Sequence, residues 1–450
     1  MTKTVNTREL ILGILMEVTR QEEYSHIAIR NVLEKYQYLD KQERAFITRV
    51  TEGTLEWMLH LDYIIGQFSS VKLNKIKLPI RNILRMSVYQ LKFMDSVPDS
   101  AVCNEAVKLA QRKGFHQLKG FVNGVLRNIA RNISQVEYPS QTEAKKYLSV
   151  MYSMPEWIVQ DWLDIYGRET TERILKDFLE KRPLSIRTNL EKISSQRLKE
   201  RLEQQGIQVT QVPGISYALE IENFDYLRAI PEFQEGLFQV QDISSMLAVE
   251  AASPKAGDVC IDVCAAPGGK SLHLGEALKG TGCVEARDLT EYKAELIREN
   301  IRRMGADNIE VRVWDACEKD ETSLETADVL LADLPCSGLG VLGKKTDLKY
   351  RMTKEQQKEL AALQRQILST VQAYVKPGGT LVYSTCTINR EENEENVAWF
   401  LKEYPFEAVP LEGELWEIYG GKTHGQGYVQ LLPGLQGCDG FFIAKFRKLT

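Results

Sequence analysis

The chain has 450 residues, of which 43% are hydrophobic and 26% charged, with a formal net charge of −5. That length accommodates two or three domains with ample core, and the composition is that of a globular chain, not a disordered or fibrous one. No apolar run reaches membrane-spanning length and Met1-Thr-Lys-Thr-Val5 opens no signal-peptide core, so we expect a cytoplasmic protein without a membrane partner.

The net charge hides an asymmetry. Up to Arg131 there are 20 Lys/Arg against 13 Asp/Glu, and most of the excess lies after Lys72. A basic front on an acidic body points to a polyanionic partner for the front, the plainer alternative being a solvated helical surface. None of the eight cysteines forms a C-x-x-C pair and the five histidines are scattered, so no metal site is expected.

Residues 6–133 read as helices throughout. Leu10, Ile11, Ile14, Leu15 and Val18 form a helical stripe. Asp40 with Glu43 makes a capping box, and Pro79 stands at a first-turn position before Ile83, Leu84, Met86 and Val88. In Phe121-Val-Asn-Gly-Val-Leu-Arg127, Asn123 and Gly124 interrupt an apolar helix, which suggests close helix packing. Asn132 to Thr142 is polar and reads as a linker. Trp157, Ile158, Trp162, Leu163 and Tyr166 then keep helical spacing, followed by strand-like 184–189, helical 194–205, and strands near Val209, 217–221 and 237–240. Arg182 and Arg187 read as ordinary surface, with phosphate contact the alternative.

From Val240 onward strands alternate with helices, which implies a mostly parallel sheet covered on both faces. Strands are expected at 259–263, 282–287, 309–313, 328–332 and 379–385, helices at 271–279, 291–304, 355–375 and 391–403, and an antiparallel pair at 428–432 and 440–447. The organising stretch is Val259-Cys-Ile-Asp-Val-Cys-Ala-Ala-Pro-Gly-Gly-Lys270, a strand, a tight turn and a helix start. Gly268 and Gly269 let a ligand approach the backbone, and the helix end offers N–H donors. Cys264 stands where a phosphate-cradling loop would carry its first glycine, which argues against a nucleotide-phosphate loop. Asp288, about 20 residues beyond the glycines, is where a ribose-binding carboxylate belongs.

Two further strands end in reactive groups: Asp333-Leu-Pro-Cys336-Ser follows one, and Ser-Thr-Cys386 ends another. Ligands of open α/β sheets bind at the carboxyl ends of the strands, so both thiols are expected at the pocket built by residues 264–270.

These motifs resemble the signature of the RNA cytosine-C5 methyltransferases, and the Phe121–Arg127 segment resembles NusB-like RNA-binding domains. The resemblance implies an all-α NusB-like N-terminal domain (1–135), a small α+β RNA-positioning insert (145–238) and an α/β Rossmann-like, S-adenosyl-L-methionine-dependent methyltransferase domain (239–450). It implies methylation of one cytosine of 16S rRNA, as naked RNA or in an early small-subunit particle, by a monomer. Cys386 would be the nucleophile at C6 and Cys336 would assist release; sequence alone does not rank the two. Asp333 would meet the ring nitrogens or the cofactor's methionine end. Cys264, Ala265, Ala266, Pro267, Gly268, Gly269 and Lys270 would hold the methionine portion, Asp288 the ribose and Asp315 the adenine side. Lys344, Lys345, Lys349 and Arg351 could clamp the RNA backbone beside an extruded base. A NusB-like RNA-binding or transcription factor with a silent Rossmann domain is the rival, against which both thiols argue. An amino-methyltransferase would carry an Asx-Pro-Pro-Tyr-type motif in place of Asp333-Leu-Pro-Cys336.

Overall fold

The computed structural model describes residues 6–21, 23–421 and 423–450. Contacts divide it into two units: the chain up to Leu179 together with Leu342–Arg351, and Glu180–Val341 with Met352–Thr450.

The first unit is helical: α1 (Thr7–Arg20), α2 (Ser25–Lys35), α3 (Lys41–Glu56), α4 (Met58–Phe68), α5 (Leu78–Phe93), α6 (Asp99–Arg112), α7 (Lys119–Asn132), α8 (Ala144–Met151) and α9 (Glu156–Asp177). The Asp40–Glu43 capping box opens α3, satisfying two N–H groups that a helix start leaves over. The stripe Ile11, Ile14, Leu15 and Val18 packs with Ile80, Ile83 and Leu84 of α5 and Val122, Leu126 and Ile129 of α7. Gly167 breaks α9 with φ 74°, a conformation glycine adopts without a Cβ penalty. By their contacts α8 and α9 group with the helical unit. His60 of α4 hydrogen-bonds the Val150 carbonyl of α8 through Nδ1 at 2.9 Å.

Two expectations for this unit are corrected. Gly124 is exposed with nothing within 4 Å of where its Cβ would be, and Asn123 accepts from Arg127 Nε at 2.9 Å, so Gly124 is not there to admit a neighbouring helix. Lys349, expected on an RNA clamp, is 4% exposed and donates to the Glu56 carbonyl at 2.9 Å. Arg351, also placed on that clamp, pairs with Asp347 at 3.1 Å and donates to the Glu23 carbonyl. Ser25 Oγ donates to Asp347 at 2.6 Å. A buried cation must find partners, and these two find them inside the helical unit.

The second unit begins with a four-stranded antiparallel sheet in the order β2-β3-β1-β4: β1 (Leu184–Thr188), β2 (Gln208–Gln211), β3 (Ala218–Glu222) and β4 (Phe238–Val240). Helix α10 (Ser195–Gln204) buries Leu198 and Leu202, and α11 (Pro231–Gln234) precedes β4. Arg187, read as surface, is 1% exposed, bonded to Gln241 Oε1 at 2.8 Å and ion-paired with Glu276. Helix α12 (Ile243–Ala252) was not legible because eight of its ten residues are buried, leaving no polar stripe to mark a period.

The larger sheet holds β5 (Val259–Asp262), β6 (Cys283–Asp288), β7 (Ile309–Val313), β8 (Ala327–Asp333), β9 (Val375–Thr385), β10 (Phe406–Ala408), β11 (Tyr428–Leu431) and β12 (Phe441–Lys448). Its helices are α13 (Gly269–Ala277), α14 (Glu291–Met304), α15 (Lys354–Val371), α16 (Glu394–Glu403) and α17 (Glu414–Tyr419). The order is β10-β12-β9-β8-β5-β6-β7, parallel from β9 to β7, with β11 on β12. The expected terminal pair forms, but β12 also enters the main sheet antiparallel to β9 and β10. Its run Phe441, Phe442, Ile443, Ala444 and Phe446 is buried, as a strand covered on both faces requires. The chain leaves β5 towards β6 and β7 and returns on the other side to β8 and β9. The loops after β5 and β8 therefore diverge and leave a crevice at the strands' carboxyl ends.

Candidate active site

The cradle begins where β5 ends. Ala265 N–H donates to the Arg287 carbonyl at 2.8 Å, Ala266–Pro267 is a cis peptide bond, and Gly268 (φ 99°) caps α13. The positive φ of Gly268 favours glycine at this turn, and a Cβ there would stand a close 3.1 Å from Ile297 Cγ2. Asp288, ending β6, accepts from Ala266 N–H at 3.0 Å and Leu289 N–H at 2.8 Å and pairs with Lys293 at 3.0 Å. It is thereby tied to the glycine loop. Arg287 points to the opposite face of β6, where Glu285 and Asp320 neutralise it. Despite its proximity in sequence, Arg287 therefore takes no part on the Asp288 side of the strand, where Lys293 is the partner.

Lys270 is the cradle's cation. Its Nζ donates to Asp333 Oδ2 at 2.7 Å and lies 5.3 Å from the centre of the Phe441 ring. Burial acts to lower the Lys270 pKa, but Asp333 and Asp262 outweigh it and the net shift is upward, so the ammonium stays charged. Asp333 Oδ1 accepts from Ser384 Oγ at 2.8 Å, which joins the end of β8 to the end of β9. Asp262, which the sequence reading did not single out, is 1% exposed; burial pushes its pKa up to about 7. Ser271 Oγ donates to its Oδ2 at 2.6 Å, while Oδ1 has no hydrogen-bond partner. A buried acceptor without a donor is costly, and its place in the Asp-x-Cys stretch was the available signal. Burial, then Asp288, Asp262 and Asp333, drive the Cys264 thiol far upward, which makes it a packing residue and not a nucleophile.

The two strand-end thiols meet. Cys336 Sγ and Cys386 Sγ are 3.3 Å apart. Leu334 N–H donates to the Ser384 carbonyl and Gly340 N–H to the Cys386 carbonyl, each at 3.0 Å, so the loops carrying the cysteines are laced together. The hydrogen bond with Cys386, then burial, raise the Cys336 pKa well above the ordinary thiol value. Two adjacent sulfurs do not both ionise readily, so the pair holds on to a proton between them. Asp315, expected on the adenine side, caps its own turn after β7 by accepting from Cys317 N–H at 2.9 Å. Lys345 is exposed and Lys344 lies in the same stretch of the helical unit. Among the described residues no group of three His, Cys, Asp or Glu could hold a metal ion, and no helix is long and apolar enough to cross a membrane.

An all-helical front, a small antiparallel α+β layer and a doubly wound sheet with a glycine cradle at its strand ends define a class: a methyltransferase domain carried behind NusB and ferredoxin-like domains. The chain matches the 16S rRNA methyltransferase RsmB/F family over residues 249–447, the NusB family over 5–131 and the RsmF/B-like ferredoxin-like domain over 154–225. It is 36% identical to the probable ribosomal RNA small subunit methyltransferase B of Bacillus subtilis over 99% of both chains. Among solved structures it is similar to PH0851 (26% identity, TM-score 0.82, 99% of each chain). It is also similar to a methyltransferase homologue from Pyrococcus horikoshii (30% identity, TM-score 0.60, 68% of this chain and 99% of that one). The chain belongs to the ribosomal RNA small subunit methyltransferase B family.

Proposed function

We propose that the protein is an S-adenosyl-L-methionine-dependent enzyme that converts one cytosine of 16S rRNA to 5-methylcytosine through a covalent bond from Cys386 to C6. The observation that carries this reading is the 3.3 Å pairing of the Cys336 and Cys386 sulfurs beside the cradle of Lys270 and Asp333. C5 of cytosine is a poor nucleophile, and a thiolate added to C6 is what makes it reactive. The relatives' names speak of small-subunit ribosomal RNA, and the basic front suits a polyanion.

The cradle residues fit the cofactor. Asp262, Asp333 and Asp288 set carboxylates around the loop with Lys270 and Lys293 beside them, a mixed lining suited to a ligand that carries a cationic sulfonium and ammonium together with a carboxylate. Loop residues 264–270 would hold the methionine portion, Asp288 the ribose and Asp315 the adenine side. The cofactor supplies an electrophilic methyl group on that sulfonium.

Addition of the Cys386 thiolate to C6 breaks the C5–C6 double bond and moves an electron pair to C5, with a proton taken up by the ring. Asp333, held between Lys270 and Ser384, would meet the ring nitrogens or the cofactor's methionine end. After C5 has gained its methyl group, the C5 proton must leave so that the Cys386–C6 bond can break. Cys336 takes that proton. Its thiol is held protonated chiefly by the hydrogen bond with Cys386. Once Cys386 is a thioether that restraint is gone: Cys336 first gives its own proton up to solvent and then, as the thiolate, takes the C5 proton as the C5–C6 double bond re-forms and Cys386 leaves as a thiolate.

The protein would act as a cytoplasmic monomer on naked RNA or an early small-subunit particle, with Lys344 and Lys345 left as candidate phosphate contacts. Bisulfite mapping of rRNA from cells with and without the protein should show one cytosine protected only when the protein is present. Cys386→Ser should lower turnover on the order of 1,000-fold or more while leaving cofactor affinity within about twofold. No protected cytosine, or a Cys386→Ser enzyme that still turns over, would sink the reading.

A further inference from the structure

A buried carboxylate stands behind the thiol pair. Glu392 lies in the acidic run Glu391-Glu-Asn-Glu-Glu-Asn396, which in sequence reads as a solvated helix start, yet Glu392, Asn393 and Asn396 are each 0% exposed. Glu392 Oε2 accepts from the Ser337 N–H at 2.9 Å and from Gln364 Nε2 at 3.0 Å. Its Oε1 accepts from Ser337 Oγ and from Asn389 Nδ2, the latter at 3.1 Å. These contacts present donors to both oxygens and oppose the push of burial, which still leaves the Glu392 pKa raised.

The donors are not scattered. Ser337 follows Cys336 directly, and Gln364 also donates to the carbonyl of Pro335, the residue before it, at 2.9 Å. Glu392 and Gln364 thus grip the backbone on both sides of Cys336. Asn389 belongs to the turn after Cys386, and Thr387, next to that cysteine, meets Ser337 Oγ at 2.8 Å. Gln364 is itself held by Asn396 Nδ2 at 2.8 Å and by Tyr383 OH at 3.1 Å. One carboxylate therefore ties the loop of each thiol to the other, through Ser337 and Gln364 on one side and Asn389 on the other.

We infer that Glu392 is a positioning residue that fixes Cys336 against Cys386 and is needed for the step in which Cys386 is released from the methylated base. The inference rests on the covalent reading proposed above. Removal of the C5 proton requires the Cys336 sulfur at one place relative to an adduct on Cys386, and a displacement near 1 Å costs on the order of 100-fold in rate. Attack by Cys386 needs no contact with Glu392. A loosened Cys336 loop therefore slows release more than attack, and the bond between Cys386 and C6 persists.

The test uses the full-length protein, unmodified 16S rRNA transcript and S-adenosyl-L-methionine. In Glu392→Gln an amide replaces the carboxylate, so that at least one of the facing donors meets an N–H₂ group. We expect kcat to fall at least about tenfold with KM for RNA within about twofold, and a protein–RNA adduct resistant to denaturing gels to accumulate. Adding Cys386→Ser should abolish the adduct. Cys336→Ala is the control for the reading underneath: it should accumulate the same adduct, and if it does not, the covalent reading itself falls. If Cys336→Ala traps RNA while Glu392→Gln turns over normally, or loses turnover with no adduct, the inference about Glu392 is wrong. Should Glu392→Gln fail to fold, Ser337→Ala decides, since it removes one donor and leaves the backbone contact. It should raise the adduct fraction above wild type, and a wild-type kcat without adduct would overturn the proposal.

Discussion

Neighbouring residues in this chain have opposite fates because the side chains of a strand alternate. Arg287 and Asp288 are adjacent, yet the arginine is consumed by Glu285 and Asp320 while the aspartate is tied to the glycine loop through Ala266. Burial decides protonation in the same residue-by-residue way. His60 is 2% exposed, and burial pulls its pKa from 6.5 to about 4. Between those values the unfolded chain binds a proton that the folded chain refuses, so stability present above about pH 6.5 is lost as pH falls towards 4, by at most about 3 kcal/mol. Denaturant titrations at pH 7 and pH 5 should show a smaller loss for His60→Gln than for the wild type; equal losses would remove His60 as the cause. Cys336, Cys386 and Asp333 stand out in the sequence because each lies at or just beyond a strand end beside turn chemistry, and the structure brings the two sulfurs together and Asp333 to Lys270. Glu392 does not stand out, since an acidic run reads as solvent-facing until the tertiary structure supplies donors for it.

At the level of elements, the loops after β8, after β9 and before β12 are pressed together without side chains between them. Gly440 N–H donates to the Gly340 carbonyl at 2.8 Å, and a Cβ on Gly340 would stand 2.0 Å from the Gly440 carbonyl oxygen. Gly340→Ala should therefore force these backbones apart at a cost of about 1–3 kcal/mol. The same movement would strain the Gly340 N–H bond to the Cys386 carbonyl. Thermal unfolding and turnover should fall together, and an unchanged melting temperature would mean the loops have more room than this geometry allows. The strands β5 to β9 and the helices between them follow local period and turn residues closely enough to be read from sequence. Helix α12 and the second pairing of β12 do not. Both are buried on all sides, and an element with no solvent face carries no alternation from which its partners can be inferred.

Across the whole molecule, the helical unit is built from two distant stretches of chain. Ser25 and Asp347 are 322 residues apart in sequence and hydrogen-bonded at 2.6 Å, and Lys349 caps the last carbonyl of α3 at Glu56. A fragment ending at residue 179 should thus unfold at lower denaturant than the same fragment with a peptide of residues 342–351 added. The gain should saturate, and a scrambled peptide should give none; no difference between the two peptides would show that this stretch contributes nothing to the unit. The sequence by itself determined the helical front, the α+β layer, the doubly wound sheet, the glycine cradle and the identity of the two thiols. Those features rest on caps, periods and turns contained within one element and its flanks. Only the tertiary structure decided that the thiols stand 3.3 Å apart, that Lys349 and Arg351 turn inward and that Glu392 grips the Cys336 loop. Each of these depends on a partner dozens to hundreds of residues away, which for Arg351 is the Glu23 carbonyl, and whether a polar side chain is solvated or satisfied inside is settled by what packs against it.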